Sequence, residues 1–292
     1  MLTAAVRDLK AAYPSIRVGV STTAMELWNN NPNIDRSVNR ANADRHMQLE
    51  YPLINQSDRL PYHFIHAFRK ELELQLGLRI PQGPFKPDLY LTNDERNTIP
   101  LELKDHKYWV LDAGYKNDFT LKNWGYDRYC KLVELLEDKV NFVQIGAKEH
   151  NHKPIPGTTN IVGQTTLREL IGVIYNSEGV ITPVSLPMHL AAGVPIKDGR
   201  LRPCIVLAGG REPATWEQYP GQQFLHTIGM LGCCRRGGCW KSRAKRLNDK
   251  APADFSICSK PVVEGSDTIG KCMTMIEPEY VAKLIEMYEE NK

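Results

Sequence analysis

The sequence has little that would place it in a membrane or on a highly charged partner. Among its 292 residues no apolar run approaches the roughly 20 that a bilayer-spanning helix needs. The opening stretch, Met1 to Lys10, carries Arg7, Asp8 and Lys10 where a secretory leader needs its apolar segment, so a cytoplasmic protein is expected. Lysine and arginine number 37 against 34 acidic residues, and the resulting net charge of +3 gives no argument for a nucleic-acid partner. Neither G-x-G-x-x-G nor G-x-x-x-x-G-K-[ST] occurs, which argues against a dinucleotide or P-loop site. No internal repeat or low-complexity tract is present. What remains is the composition of a soluble globular chain, long enough for two ordinary domains or one large one.

Cysteine is scarce over most of the chain and crowded at its end. Cys130 and Cys204 stand alone, whereas Cys233, Cys234, Cys239, Cys258 and Cys272 fall within the last sixty residues. Gathered thiols are held by disulfides, by a metal ion, or simply by packing. Cys234, Cys239, Cys258 and Cys272 can close one tetrahedral thiolate site, with Cys233 able to replace its neighbour. A reducing compartment favours the metal over disulfides. Residues 232–276 hold few large apolar side chains apart from Trp240, so a bound ion would supply free energy that burial cannot. Arg235, Arg236, Lys241, Arg243, Lys245 and Arg246 lie in the same segment, as a solvated basic loop or as a nucleic-acid footprint.

Apolar spacing predicts helices over 3–13, 24–30 and 61–78, the last ending near Gly77, and short strands over 16–20 and 88–91. Polar residues from Thr92 to Lys107 mark a domain boundary, dividing the chain into 1–100 and 101–292. Beyond it strands and helices alternate: strands over 108–112, 140–145, 179–182 and 204–208, and helices over 126–136, 167–175 and 188–192, with a closing helix over 278–290. Such alternation implies an α/β fold with a parallel sheet.

Ligands of open parallel sheets bind beyond the carboxyl ends of the strands. The loop after the first such strand contains Gly114, Thr120 and Lys122, a set suited to a phosphate or diphosphate at a helix N-terminus. Past the next strand stand Gly146 and Glu149, a carboxylate able to accept from ribose hydroxyls. The third loop carries Ser185, Met188 and His189 into a helix. Three such loops on successive strands point to a nucleotide site.

The segments Lys122-Asn123-Trp124, Ile145-Gly146-Ala147-Lys148-Glu149 and Ser185 to His189-Leu190-Ala191-Ala192 resemble glycosyltransferase family 9, the ADP-heptose-dependent heptosyltransferases. Leu207 to Pro213, Thr3 to Leu9, Tyr51-Pro52-Leu53 and Phe64-Ile65-His66 fit the same family. Gly238-Cys239-Trp240-Lys241-Ser242-Arg243 is similar to the autotransporter heptosyltransferases, whose cysteine finger holds iron. The resemblance implies a GT-B architecture: two Rossmann-like domains around a cleft, acceptor on the first and nucleotide-sugar donor, ADP-linked, on the second. It further implies that Lys122 neutralises the departing diphosphate, that Glu149 holds the ribose, and that Ser185, Met188 and His189 face the diphosphate and sugar. The chemistry is then inverting and needs no bound magnesium. Generic thiolate chemistry favours zinc on the cysteines and the resemblance favours iron.

Two departures stand out. Val184-Ser185-Leu186 occupies the place of the family's Asp-Thr-Gly, and the chain opens at the helix following the family's first strand and Gly-rich loop, which carries the acidic base. The remaining candidates for the base are His63, placed first, and His66, three residues on and sharing its helical face, although packing or acceptor binding is the favoured reading of the pair. The expected activity is sugar transfer to a hydroxyl of a protein, glycan or modified nucleic acid. The alternatives are a catalytically inactive binding protein of the same fold and a metal-finger protein acting on nucleic acid.

Overall fold

The computed structural model describes all residues except 51–55, 57, 101, 102, 105, 198, 200, 251–255 and 292. The segment Tyr51-Pro52-Leu53 and part of the expected domain boundary therefore lie outside the described residues. One six-stranded sheet organises the chain. Its strands are β1 (Trp109–Asp112), β2 (Phe142–Ile145), β3 (Thr158–Asn160), β4 (Gly179–Pro183), β5 (Cys204–Gly209) and β6 (Gln222–His226), all parallel, in the order β3-β2-β1-β4-β5-β6. The parallel α/β sheet expected from the alternating pattern is thus present.

Alternation along each central strand sends side chains to two cores. Val110, Val143, Val180 and Val206 face one side with Ile171, Ile174 and Leu190, which come from α5 (Leu167–Asn176) and α6 (Leu186–Gly193). Trp109, Leu111, Ile181 and Ile205 face the other with Leu132 of α4 (Tyr126–Leu135) and with Val281 and Ile285 of α9 (Pro278–Glu290). The start of α5 is set by a capping box, Thr166 bonded to the Glu169 amide and Glu169 back to Thr166, a device contributing about 1 kcal/mol.

The first hundred residues behave differently. Helices α1 (Leu2–Ala12), α2 (Phe64–Leu76) and α3 (Asn93–Asn97) are joined by long irregular stretches, and among the described residues of 1–100 no strand forms. The first of the two expected Rossmann-like sheets is therefore not seen there. Ile16 and Val18 have strand-like spacing, but no neighbouring strand completes a ladder, and both instead pack on a helical core of Leu9, Phe64, Phe68 and Trp216. Residues 88–91 run as irregular chain against the α1 and α6 ends, with the Leu89 amide bonded to the Gly193 carbonyl. The helix expected over 24–30 shrinks to a 3-10 turn, Met25–Trp28. Helix α2 ends as expected, because Gly77 adopts φ 68° and closes it in the left-handed conformation.

The C-terminal segment adds a hairpin of β7 (Pro261–Glu264) and β8 (Asp267–Gly270), then a short α8 (Lys271–Thr274). Neither the hairpin nor the edge strands β3 and β6 stand out in the sequence: Thr-Thr-Asn and Gln-Gln-Phe-Leu-His lack the apolar run of the inner strands.

Candidate functional site

The strand order reverses between β1 and β4, and in open parallel sheets such a switch point is where a ligand crevice opens beyond the carboxyl ends. Asp112, the last residue of β1, is buried there, and its Oδ2 accepts from the hydroxyls of Thr182 at 3.1 Å and Ser185 at 2.8 Å. These bonds fasten β1 to β4 and to the first turn of α6. Burial pushes the Asp112 carboxyl above its ordinary value against the opposing pull of Ser185, His152 and Thr182. His152 lies over the same strand ends. A Cβ on Gly114 or Gly146 would come within 2.0 Å of its ring, so both glycines are needed to seat the imidazole. Burial also lowers the basicity of His152, with the Asp112 charge opposing.

Because Ser185 bonds to Asp112, it does not cap α6, and the first-turn amides of that helix have no side-chain acceptor. Lys122 stands beside them. Its Nζ donates to the Val184 carbonyl at 2.7 Å and lies 3.3 Å from Oε2 of Glu212. Pro187 in the first turn has no N–H to leave unpaired. Uncapped amides, the positive end of a helix and a lysine together form an anion site. Glu149 is exposed in the turn after β2, at the same edge of the sheet.

Two expected ligand residues are placed elsewhere. Met188 is fully buried in the core between sheet and helices, so its side chain does not face the crevice. An apolar side chain three residues into an α/β helix is drawn inward by the sheet. Thr120 is buried too, and its hydroxyl accepts from the Ala244 amide at 3.0 Å, tying the lysine loop to the cysteine segment instead of meeting a phosphate.

His189 has both ring nitrogens engaged. Nε2 is 3.5 Å from Oε2 of Glu217, in α7 (Ala214–Glu217), and Nδ1 is 3.0 Å from the Tyr219 hydroxyl. Burial pushes the Glu217 carboxyl up, but the hydrogen bond and charge of His189, with the charges of Lys122 and Arg211, outweigh it and hold the group below its ordinary value. His63 reaches this cluster from the helical side, its ring 5.0 Å from that of Tyr219 and 4.6 Å from that of Phe85. It caps α2, with Nδ1 accepting from the Ile65 amide at 3.1 Å. Burial pushes it down to about 4, against Glu217. A cap that is 4% exposed and already committed at Nδ1 is a structural group, so the base expected at His63 has no support in its geometry. His66 stacks on Phe85 at 5.3 Å.

Arg211, Glu212, Glu217, Tyr219, Asp112 and His152 are the neighbours that sequence reasoning missed. The one signal for them is position: Asp112 ends β1, and Arg211-Glu212 directly follow β5 and Gly210.

Cys233, Cys234, Cys239, Cys258 and Cys272 line one small cavity roofed by Leu121 and Gly210. All are free thiols in this structure. Among the described residues no group of three or more His, Cys, Asp or Glu side chains is drawn together as a metal site. The donor set nevertheless suits a thiophilic ion. Burial pushes up the thiols of Cys239, Cys258 and Cys272, the last to about 11, and the neighbouring sulfurs add to the shift. A cation at their centre would reverse it. The module is stitched to the crevice floor by the Leu121 amide on the Ser242 carbonyl and the Cys239 amide on the Gly210 carbonyl, both 3.1 Å. Of the basic residues in this segment, Arg243 is buried and gives both terminal nitrogens to Asp249, at 3.1 and 2.9 Å, which takes it out of any surface footprint. No helix among the described residues is long and apolar enough to cross a membrane.

Comparison with solved structures finds the same fold at low identity. The iron-containing dodecameric glycosyltransferase TibC of enterotoxigenic Escherichia coli is 15% identical, over 98% of this chain and 71% of that one, with a TM-score of 0.60. A family 9 glycosyl transferase of Veillonella parvula is 17% identical over 80% of this chain, TM-score 0.53, and the ADP-heptose LPS heptosyltransferase II of E. coli is 13% identical over 79%, TM-score 0.51. The chain spans 62% of the length of the Veillonella protein and 63% of that of heptosyltransferase II. Comparison with curated protein sequences finds no match. The sequence model of glycosyltransferase family 9 (heptosyltransferase) matches residues 37–219, more than half of the chain, which therefore belongs to that family.

Proposed function

We propose that this protein transfers a sugar, a heptose, from an ADP-linked donor to an acceptor hydroxyl, with the donor held in the crevice between β1 and β4. The observation that carries the reading is the pairing of Lys122 with the uncapped start of α6 at the switch point of the sheet. A diphosphate there would meet helix amides and one ammonium group, the charge pattern that stabilises a departing nucleoside diphosphate. Glu149 would accept from the ribose hydroxyls at the neighbouring strand end. His189, held by Glu217 and Tyr219 through both ring nitrogens, would lie beside the diphosphate or sugar. The choice of heptose and of ADP is supported by the similarity to the ADP-heptose LPS heptosyltransferase II of E. coli.

On the same reading Cys234, Cys239, Cys258 and Cys272, with Cys233 in reserve, hold one structural iron or zinc ion that fixes the C-terminal module against the lysine loop. That all four cysteines line one small cavity supports this. The chemistry the ion supplies is structural: four thiolates leave no position for substrate. Titration calorimetry with ADP and with ADP-heptose tests the donor site. Micromolar binding is expected, and no heat at millimolar ligand would overturn the proposal.

A further inference from the structure

Two buried charged side chains, Arg211 and Glu212, meet the half-buried Lys122 at the mouth of the crevice. Arg211 follows β5, pairs with Glu212 through Nη1, and is only 7% exposed. Glu212, 8% exposed, turns its other oxygen toward Lys122, 3.3 Å away, and that oxygen has no hydrogen bond. One ring joins the two cations: Phe119 has the Arg211 guanidinium 5.2 Å and the Lys122 ammonium 5.5 Å from its centre. Arg211 is also braced by Trp240 at 5.7 Å, which packs at a tilt of 33° on Trp216 with centroids 4.2 Å apart. Arg211 Nε is buried with no partner.

A charge trio with two buried members is a poor way to stabilise a fold, since desolvation offsets most of the attraction and apolar residues of similar volume do as well or better. Here the arrangement is also incomplete. Two cations share one carboxylate, an arginine nitrogen is left over, and the contact between Glu212 and Lys122 is not a formed hydrogen bond. A diphosphate offers more anionic oxygens than a carboxylate and matches the guanidinium fork.

We propose that Arg211 is a second cationic contact of the donor diphosphate beside Lys122, and that the Glu212 carboxylate occupies the anion position between them until a nucleoside diphosphate displaces it. This rests on the donor site proposed above. Glu212 then sets the affinity for the donor and for the product diphosphate alike. An empty site stays neutralised, and the released diphosphate is met by a competing carboxylate that returns to its place.

Calorimetry with ADP and with adenosine tests this on the wild type and on Glu212→Gln and Arg211→Gln. Glu212→Gln should tighten ADP at least tenfold and Arg211→Gln should weaken it at least tenfold, while adenosine, which has no phosphate, changes less than twofold. If Glu212 merely props up Lys122, its glutamine variant will bind ADP equally or more weakly, and the proposal falls while the donor site stands. No ADP binding by the wild type would overturn the donor site and this inference with it. Should a variant fail to fold, wild-type crystals grown with ADP decide. A phosphate oxygen within hydrogen-bond reach of Arg211, with the Glu212 carboxylate turned away, is expected; Glu212 still seated between the two cations beside bound ADP refutes it.

Discussion

Replacing Lys122 by alanine separates catalysis from stability in a way that follows from its contacts. The side chain is 23% exposed, donates to the Val184 carbonyl at 2.7 Å and lies 3.3 Å from Glu212. Its loss removes one hydrogen bond to the Val184 carbonyl and leaves Glu212 still paired with Arg211, so the folded state should lose only about 1 kcal/mol. For a chain of this size that lowers the melting temperature by about 2–4 °C. The transition state is affected more. Removing one positioned donor or charge from a developing oxyanion typically costs about 2.7–4 kcal/mol, or a hundred- to a thousandfold in rate. Partial exposure places Lys122 at the lower end, so kcat should fall about a hundredfold. The assay is release of ADP from ADP-heptose with an accepted hydroxyl substrate, followed under saturating donor, with thermal melting alongside. Lys122→Arg, which keeps the charge but not its reach, should recover part of the rate. An alanine variant with full turnover and an unchanged melt would refute the electrostatic role.

Other residues give sharper single readouts. Glu149→Ala should weaken ADP binding by roughly 1.5–3 kcal/mol, the scale of hydrogen bonds to a charged group, and unchanged affinity would remove Glu149 from the site. His63 is pushed down to about 4 in the fold, whereas a free imidazole titrates near 6.5. The unfolded chain therefore binds the proton first, and the stability contributed by this group is full above about pH 6.5 and is lost as pH falls toward 4, by roughly 3 kcal/mol in all. His63→Asn, which can still cap α2, should flatten that part of the urea-unfolding profile and leave kcat within a few-fold; a large loss of kcat at unchanged stability would restore His63 as the base. Metal analysis of protein purified without chelator should find one iron or zinc per chain, and serine at Cys234, Cys239, Cys258 or Cys272 should lower both occupancy and melting temperature. Less than about half an ion, with all four variants melting normally, would leave buried thiols only.

The sheet was legible because its inner strands are apolar on both faces, and the pleat leaves no other way to bury Val110 with Leu111 or Ile205 with Val206. The same rule hid β3 and β6, whose edges need little apolar surface. It also misread Ile16–Val20, where the spacing of a strand is present but a partner is not; strand character is a property of a pair, and local pattern carries only half of it. In the candidate site, position after a strand was enough to single out Lys122, Ser185 and His189 as candidates, since parallel sheets put ligands at one edge. It could not tell which loop residues turn inward. Thr120 and Met188 share that edge and are occupied by the Ala244 amide and by the core. Arg211 and Glu212 lie two strands away from Lys122 in sheet order, past a glycine pair that lets β5 end beside Cys234 and Cys272. A carboxylate shared between two cations from separate loops has no spacing signature, because its members meet only when the sheet has formed. The cysteines are the converse case. Their crowding was plain in the sequence, and folding gives the crowding a purpose: the segment that would hold the ion also carries Trp240, Ser242 and Ala244, the three residues that brace Arg211 and anchor the Lys122 loop.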